Sequence, residues 1–271
     1  MMRQMPDRAC DCHFHVFDAR FPFVPNAVFH PEPASLDDYL VLAASLGLER
    51  AVVVHPSPYG TDNRCSLEVA SRLGPRGCAV AVVDDTVTDA ELRQLHRHGV
   101  RGIRFNLVQA GATTIEMLEP LARRVADLGW HVQLHMLGGK IAEHERLLAS
   151  LAAPIVFDHH GRIPLPEGRD HPGWHALRRL VDGGRTWVKL SAPYQDSKVG
   201  APGYDDMLAL GRELVKAAPE RMLWGSDWPH VTERTRPEAR PLLDYLFHCV
   251  DSDADLARIL RDNPTEVYGF D

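Results

Sequence analysis

Eight short apolar, β-branched runs recur along the chain with helix-length segments between them, and this alternation limits the fold more than any other feature of the sequence. The runs are CDCHFHVF (10–17), AVVVHPS (51–57), CAVAVV (78–83), RGIRFNL (101–107), WHVQLHM (130–136), PIVFDHH (154–160), TWVKLS (186–191) and MLWGSDW (222–228). Their starts lie roughly 23 to 41 residues apart, room for a strand, a helix and two loops. Between them, Ser35 with Asp38 and Thr88 with Glu91 read as capping boxes, and Gly47, Gly99 and Gly129 fall where helices should stop. Eight β-α units in 271 residues, close to the roughly 250 that a (β/α)8 TIM barrel takes, predict an α/β chain forming one such barrel as a single domain over 1–271. An open doubly wound sheet gives the same alternation with fewer strands. The polar residues decide against it: runs two, five, six and eight end in His55, His135, His159 with His160, and Asp227. All are C-terminal ends, which in a closed barrel converge on one mouth.

Composition narrows the function. Hydrophobic residues at 45% and charged residues at 25% exclude a disordered chain or a coiled coil. No apolar run reaches the roughly 20 residues of a membrane span, and MMRQMPDRAC has no apolar signal-peptide centre, so a cytoplasmic enzyme without a membrane partner is expected. The 30 Lys+Arg against 37 Asp+Glu form no dense basic cluster, which argues against nucleic acid as a partner and requires a local basic pocket for any anionic substrate. Cys10, Cys12, Cys65, Cys78 and Cys249 are odd in number and lack a paired CxxC pattern, and read as small buried hydrophobes. Rossmann, Walker and GxSxG motifs are absent, leaving nucleotide cofactors and serine-hydrolase chemistry without a foothold.

Candidate chemistry lies at the run ends. Asp11, His13 and His15 alternate, so a regular strand points all three to one face and Cys12, Phe14 and Val16 to the other. An HxH pair can chelate a divalent ion or orient one reacting carbonyl. Asp227, flanked by Trp224 and Trp228, is placed to take a proton from water, although aspartate is also a common turn former. His159 and His135 close runs six and five. Arg104 interrupts an apolar strand and needs a carboxylate partner from the protein or from a ligand; Arg162, after Gly161, poses the same choice. Two arginines beside histidines point to a small anionic organic substrate. Tyr59 and Asn63 in the loop PYGTDN, and His230 after a proline, are further candidate substrate contacts. Lys189 reads equally as a cationic anchor or a packed barrel lysine, and Tyr194 is a similar candidate on the following loop.

The set DCHFHVFD, GTDN, RGIRFNL, FDHHGR, LWGSDWPH and the terminal DNP resembles, in order and spacing, the amidohydrolase superfamily in its amidohydrolase-2 branch, over about residues 10 to 268. The resemblance implies a (β/α)8 barrel and a hydrolase that opens a carboxylate-bearing lactone of pyrone or sugar-acid type. It implies that His13, His15 and His159 are catalytic, that Asp227 is the base activating water, and that Arg104 and Arg162 bind substrate carboxylate. Lactonases of the branch that act on a dicarboxylate pyrone have a tyrosine where His135 stands and a second arginine where this chain reads LVQAG. Lactone isomerases of the branch have asparagine in place of the base, so Asp227 favours hydrolysis. His13, His15, His135, His159 and Asp227 would suffice for one Zn2+; strands four and five end without a lysine to bridge two ions. The alternatives are a metal-dependent decarboxylase or other lyase of the same branch and a lactone isomerase. Monomer and homo-oligomer both stay open.

Overall fold

A computed structural model describes residues 3–109 and 111–271. Strands β1 (Cys10–Phe14), β2 (Arg50–Val54), β3 (Gly77–Ala81), β4 (Val100–Asn106), β5 (His131–His135), β6 (Ile155–Phe157), β7 (Thr186–Lys189) and β8 (Met222–Leu223) pair in parallel in that order. The segment after β8 closes the sheet onto β1. Cys12 donates its backbone N–H to the Trp224 carbonyl at 2.9 Å, Asp227 to that of His13 at 2.8 Å, and His15 to that of Trp228 at 2.8 Å. A helix follows each strand: α1 (Leu36–Leu46), α2 (Arg64–Leu73), α3 (Asp89–Arg97), α4 (Leu118–Ala126), α5 (Gly138–Ser150), α6 (Pro172–Asp182), α7 (Asp205–Ala217) and α8 (Ala239–Cys249), with the shorter α9 (Asp253–Ala257) and α10 (Asn263–Tyr268) after the last of these. The architecture is the expected (β/α)8 TIM barrel.

Local sequence explains the element boundaries. Ser35 and Thr88 cap α1 and α3 through reciprocal bonds with Asp38 and Glu91, satisfying first-turn amides that have no partner within the helix. Gly47 ends α1 in the left-handed region at φ 74°, where a side chain would be strained. Alternate strand residues then divide into two apolar layers. Val53, Ile103, Leu134, Phe157 and Val188 face the helices, whereas Val52, Val54, Val80 and Val156 pack inside the barrel with Tyr268 and Phe270 from the C-terminal segment. All five cysteines are buried and free, as small hydrophobes should be. Among the described residues no helix is long and apolar enough to cross a membrane.

Strand β1 departs from the regular alternation. Its register against β2 shifts between Asp11 and Phe14, a bulge that places Cys12 among the interior residues with Cys10 and turns Asp11 outward. Asp11 therefore does not share the lumen face with His13 and His15. It accepts from Tyr39 Oη of α1 at 3.1 Å, from the His13 N–H at 2.9 Å, and from Ser226 through both its N–H (2.9 Å) and its hydroxyl (2.5 Å). One buried carboxylate thus ties β1 to the loop after β8.

Buried histidines outside the candidate metal-binding groups make the fold acid-sensitive. His55, bonded to Ser66 and the Gly60 carbonyl, His131, against Tyr268, and His160, bonded to Tyr245, are each lowered to about 3 by burial. The unfolded chain gains protons below pH 6.5 where the folded one does not, so stability is present above that pH and is lost as the pH falls. Asp11, raised to about 6 by burial, opposes this by one proton. These four groups alone should make the unfolding free energy fall by about 3 kcal/mol per pH unit between pH 6 and 5, and the other buried histidines add to that fall. Urea midpoints at the two pH values check it, and a flat profile would contradict neutral burial of these rings.

Candidate active site

Three histidines and one carboxylate meet at the C-terminal mouth of the barrel. His13 comes from β1 just past its bulge, His15 from the residue beyond that strand, His159 from the turn after β6, and Asp227 from the segment after β8. Asp227 and His159 hold left-handed backbone at φ 58° and φ 50°, an unfavourable state for residues with a side chain, and one that recurs where a site fixes a group's direction. Gly225 permits the approach. A Cβ there would lie 2.5 Å from His13 Cβ and 2.7 Å from its backbone nitrogen. Gly225→Ala should therefore cost about 1–3 kcal/mol in a urea titration and reduce activity by parting His13 from Asp227. Wild-type stability and activity in that variant would show that β1 and the segment after β8 can separate freely.

The ring nitrogens are directed. His15 Nδ1 lies 2.8 Å from the Val54 carbonyl, which can only accept, so Nδ1 carries the proton and Nε2 the lone pair. His13 Nδ1 lies 3.2 Å from the Asp158 carboxylate, and His159 Nδ1 2.9 Å from Ser191 Oγ. Their Nε2 atoms face the same carboxylate oxygen: Asp227 Oδ1 is 3.4 Å from His13, 3.5 Å from His15 and 3.9 Å from His159. His13 and His15 Nε2 are 3.3 Å apart, and two lone pairs at that distance repel unless a proton or a cation lies between them. A tetrahedral ion with bonds of about 2.1 Å sets its ligand atoms about 3.4 Å from one another, so these spacings fit one. The Nδ1 partners are of the type that orients metal-bound imidazoles. His13, His15 and Asp227, and His13, Asp158 and His159, form the two candidate metal-binding groups among the described residues.

Electrostatics keep the two acids of the cluster charged. Burial raises the cost of ionising Asp227, but His159, His15 and His13 around it override that and hold the carboxyl well below its usual range. Tyr194 adds a 2.5 Å bond to the other oxygen. Burial lowers His13 and His159 to about 3 and His135 well below its ordinary value. Asp158 is likewise held low against its burial, by His13, Lys189 and Arg104.

The sequence-predicted residues divide into two groups. His15, His135, His159, Asp227 and Arg104 line one pocket at the mouth, with His13 directly beneath. Arg104 has a protein partner and also borders the pocket: its Nε bonds Asp158 Oδ2 at 3.3 Å, and the residue is among those lining the pocket wall. Arg162 is occupied by the protein, with two bonds to Asp196 and one to His135 Nε2 at 3.0 Å. That last contact corrects the ligand set, because His135 presents its Nε2 to a guanidinium and joins neither metal-binding group. Tyr59 and Asn63 are corrected too. Tyr59 is fully buried against Phe17 and Phe23 with its hydroxyl on the Asp18 backbone, and Asn63 spends its amide on Thr61 and Val82. His230 sits beside the site, its Nε2 on the Ser226 carbonyl and its ring edge-on to Tyr194.

Two residues resolve or extend the sequence reading. Lys189 lies in the barrel interior, fully buried, donating to Gln133 Oε1 at 2.7 Å and standing 3.2 Å from His13 Nδ1 and 3.5 Å from Asp158. Asp158, unassigned from the sequence, links His13, Lys189 and Arg104; its signal was the same strand-end carboxylate pattern that singled out Asp227. A larger cleft of 410 Å³ between α2 and α3, bordered by Asp62, Arg64, Glu91 and His98, brings no metal-ligating group together among the described residues.

Known proteins resemble this chain over nearly its whole length. The model of the Amidohydrolase family matches residues 10–270. The chain is 33% identical to a 2-pyrone-4,6-dicarboxylate hydrolase of Comamonas testosteroni and 33% identical to a 4-sulfomuconolactone hydrolase of Rhizobium radiobacter, in each case over 98% of this chain and 91% of the relative. A crystal structure of an Agrobacterium tumefaciens protein superposes with a TM-score of 0.91 at 27% identity, covering 98% of this chain and 97% of that one. A match that runs from the first strand of the barrel to its last helix places this chain in the amidohydrolase family.

Proposed function

We propose that this chain hydrolyses a lactone that carries a carboxylate, with Asp227 as the base that draws a proton from the attacking water. One observation carries the reading. The Nε2 atoms of His13, His15 and His159 surround one oxygen of an ionised Asp227, and Arg104 opens onto the same pocket. Two full-length relatives whose names denote hydrolysis of lactones of acids support it.

Arg104 holds the substrate carboxylate and so fixes the lactone carbonyl against the histidines. Asp227, kept charged and oriented by Tyr194, accepts a proton from water at the carbonyl and returns it to the leaving alkoxide or enolate oxygen. His13, His15, Asp227 and His159 would hold one divalent ion. Their nitrogen-rich donor set suits Zn2+, which when bound polarises a carbonyl and acidifies water. Aryl, pyrone and sugar-acid lactones assayed with and without chelator, alongside elemental analysis, test this. We expect opening of at least one carboxylated lactone, about one zinc per chain, and activity lost to chelator and restored by metal. Full activity in metal-free protein would remove the ion, and an inert panel would remove the lactonase reading.

A further inference from the structure

We infer that Asp196 sets the charge of the substrate: by matching the charge of Arg162 it leaves Arg104 as the one arginine at the site whose terminal nitrogens have no protein partner among the described residues, so the lactone accepted carries one carboxylate rather than two. The inference rests on the lactone reading above and deepens it. Arg162 follows the turn after β6 with φ 49°. Its Nε donates to Asp196 Oδ2 at 2.7 Å, its Nη2 to Asp196 Oδ1 at 3.1 Å, and its Nη1 to His135 Nε2 at 3.0 Å. Each guanidinium nitrogen makes one protein bond, and the charge is matched by a carboxylate in the fork geometry that favours such pairs. A substrate carboxylate at Arg162 would meet a guanidinium whose charge Asp196 already matches.

Arg104 is different. It is 5% exposed, yet its single hydrogen bond among the described residues is the 3.3 Å contact from Nε to Asp158, and neither terminal nitrogen has a partner. A buried guanidinium with two free donors at a pocket wall is matched by one bidentate carboxylate. The remaining wall gives a second anion nothing comparable. Phe17, Phe29 and Val231 are apolar, Gln109 and Gln195 are neutral, and Asp227 repels. Arg236 borders a separate groove with Trp228 and Pro237. A second carboxylate would lose its hydration with no second arginine to compensate it, and the divalent ion of the reading above would be engaged with the lactone carbonyl and water.

Calorimetric titration of the full-length protein with benzoate and with isophthalate, unreactive ring acids with one and two carboxylates, tests this without turnover. Wild type should bind benzoate at least tenfold more tightly than isophthalate. Asp196→Asn and Asp196→Ala, confirmed as folded by circular dichroism, should release Arg162 and shrink that ratio at least tenfold. Tighter binding of isophthalate to wild type, binding of neither acid, or a ratio unmoved in both folded variants would overturn the assignment. Should the binding ratios hold while no lactone is opened, the lactone reading fails by itself and the charge selection stands.

Discussion

Asp227→Asn should lower kcat by about a thousandfold or more while KM stays within about threefold of wild type. The substitution preserves shape. An amide oxygen can still accept from Tyr194, and the pocket keeps its volume, so binding and folding should persist. What is lost is the group that takes the proton from water, and a thousandfold corresponds to about 4 kcal/mol of transition-state stabilisation. Because Asp227 also belongs to a candidate metal-binding group, the variant's metal content must be measured alongside its kinetics. A variant that keeps its metal and falls a thousandfold assigns the loss to proton transfer. Turnover within tenfold of wild type would take Asp227 out of that role.

Arg104→Met should reduce kcat/KM on a carboxylated lactone by about a hundredfold, chiefly through KM, which is close to the 3 kcal/mol expected for a charge-assisted bidentate contact. Methionine retains much of the apolar stem. Asp158 keeps Lys189 and His13 as partners, so its charge does not become an orphan. The methyl ester of the same substrate supplies the control. Wild type and variant should open the ester at similar rates, because the lost interaction is with the anion. An equal fall on acid and ester would mean that Arg104 acts on the site through Asp158 rather than on the substrate.

The barrel was legible because its signal repeats. Eight β-branched runs with capped helices between them agree on one architecture, and each His or Asp at a run end falls at the mouth that parallel strands share. His159 and Asp227 were singled out by that rule and His13 and His15 by the alternation of the first run, and Asp158 obeys the run-end rule as well. The bulge in β1 was hidden because period-two alternation assumes an unbroken strand, and the Asp11 contacts that accompany its shifted register come from Tyr39 and Ser226, 28 and 215 residues away. Arg162 shows the same limit. Its engagement depends on Asp196, 34 residues later on another loop, so sequence could pose the choice between protein and substrate carboxylate without resolving it. Tyr59 and Asn63 sit in a polar loop that reads as a substrate-contacting one, yet burial of the Tyr59 ring and the bonds of Asn63 to Val82 commit both to holding that loop in place.

The central claim is that water is added across a lactone at the Asp227 carboxylate. Mass spectrometry of the product formed in oxygen-18 water tests it most directly. The account predicts an open acid that retains every substrate carbon and carries one labelled oxygen in its new carboxylate, formed at least a thousandfold more slowly by Asp227→Asn. A product of unchanged mass, or one that has lost carbon dioxide, would contradict it.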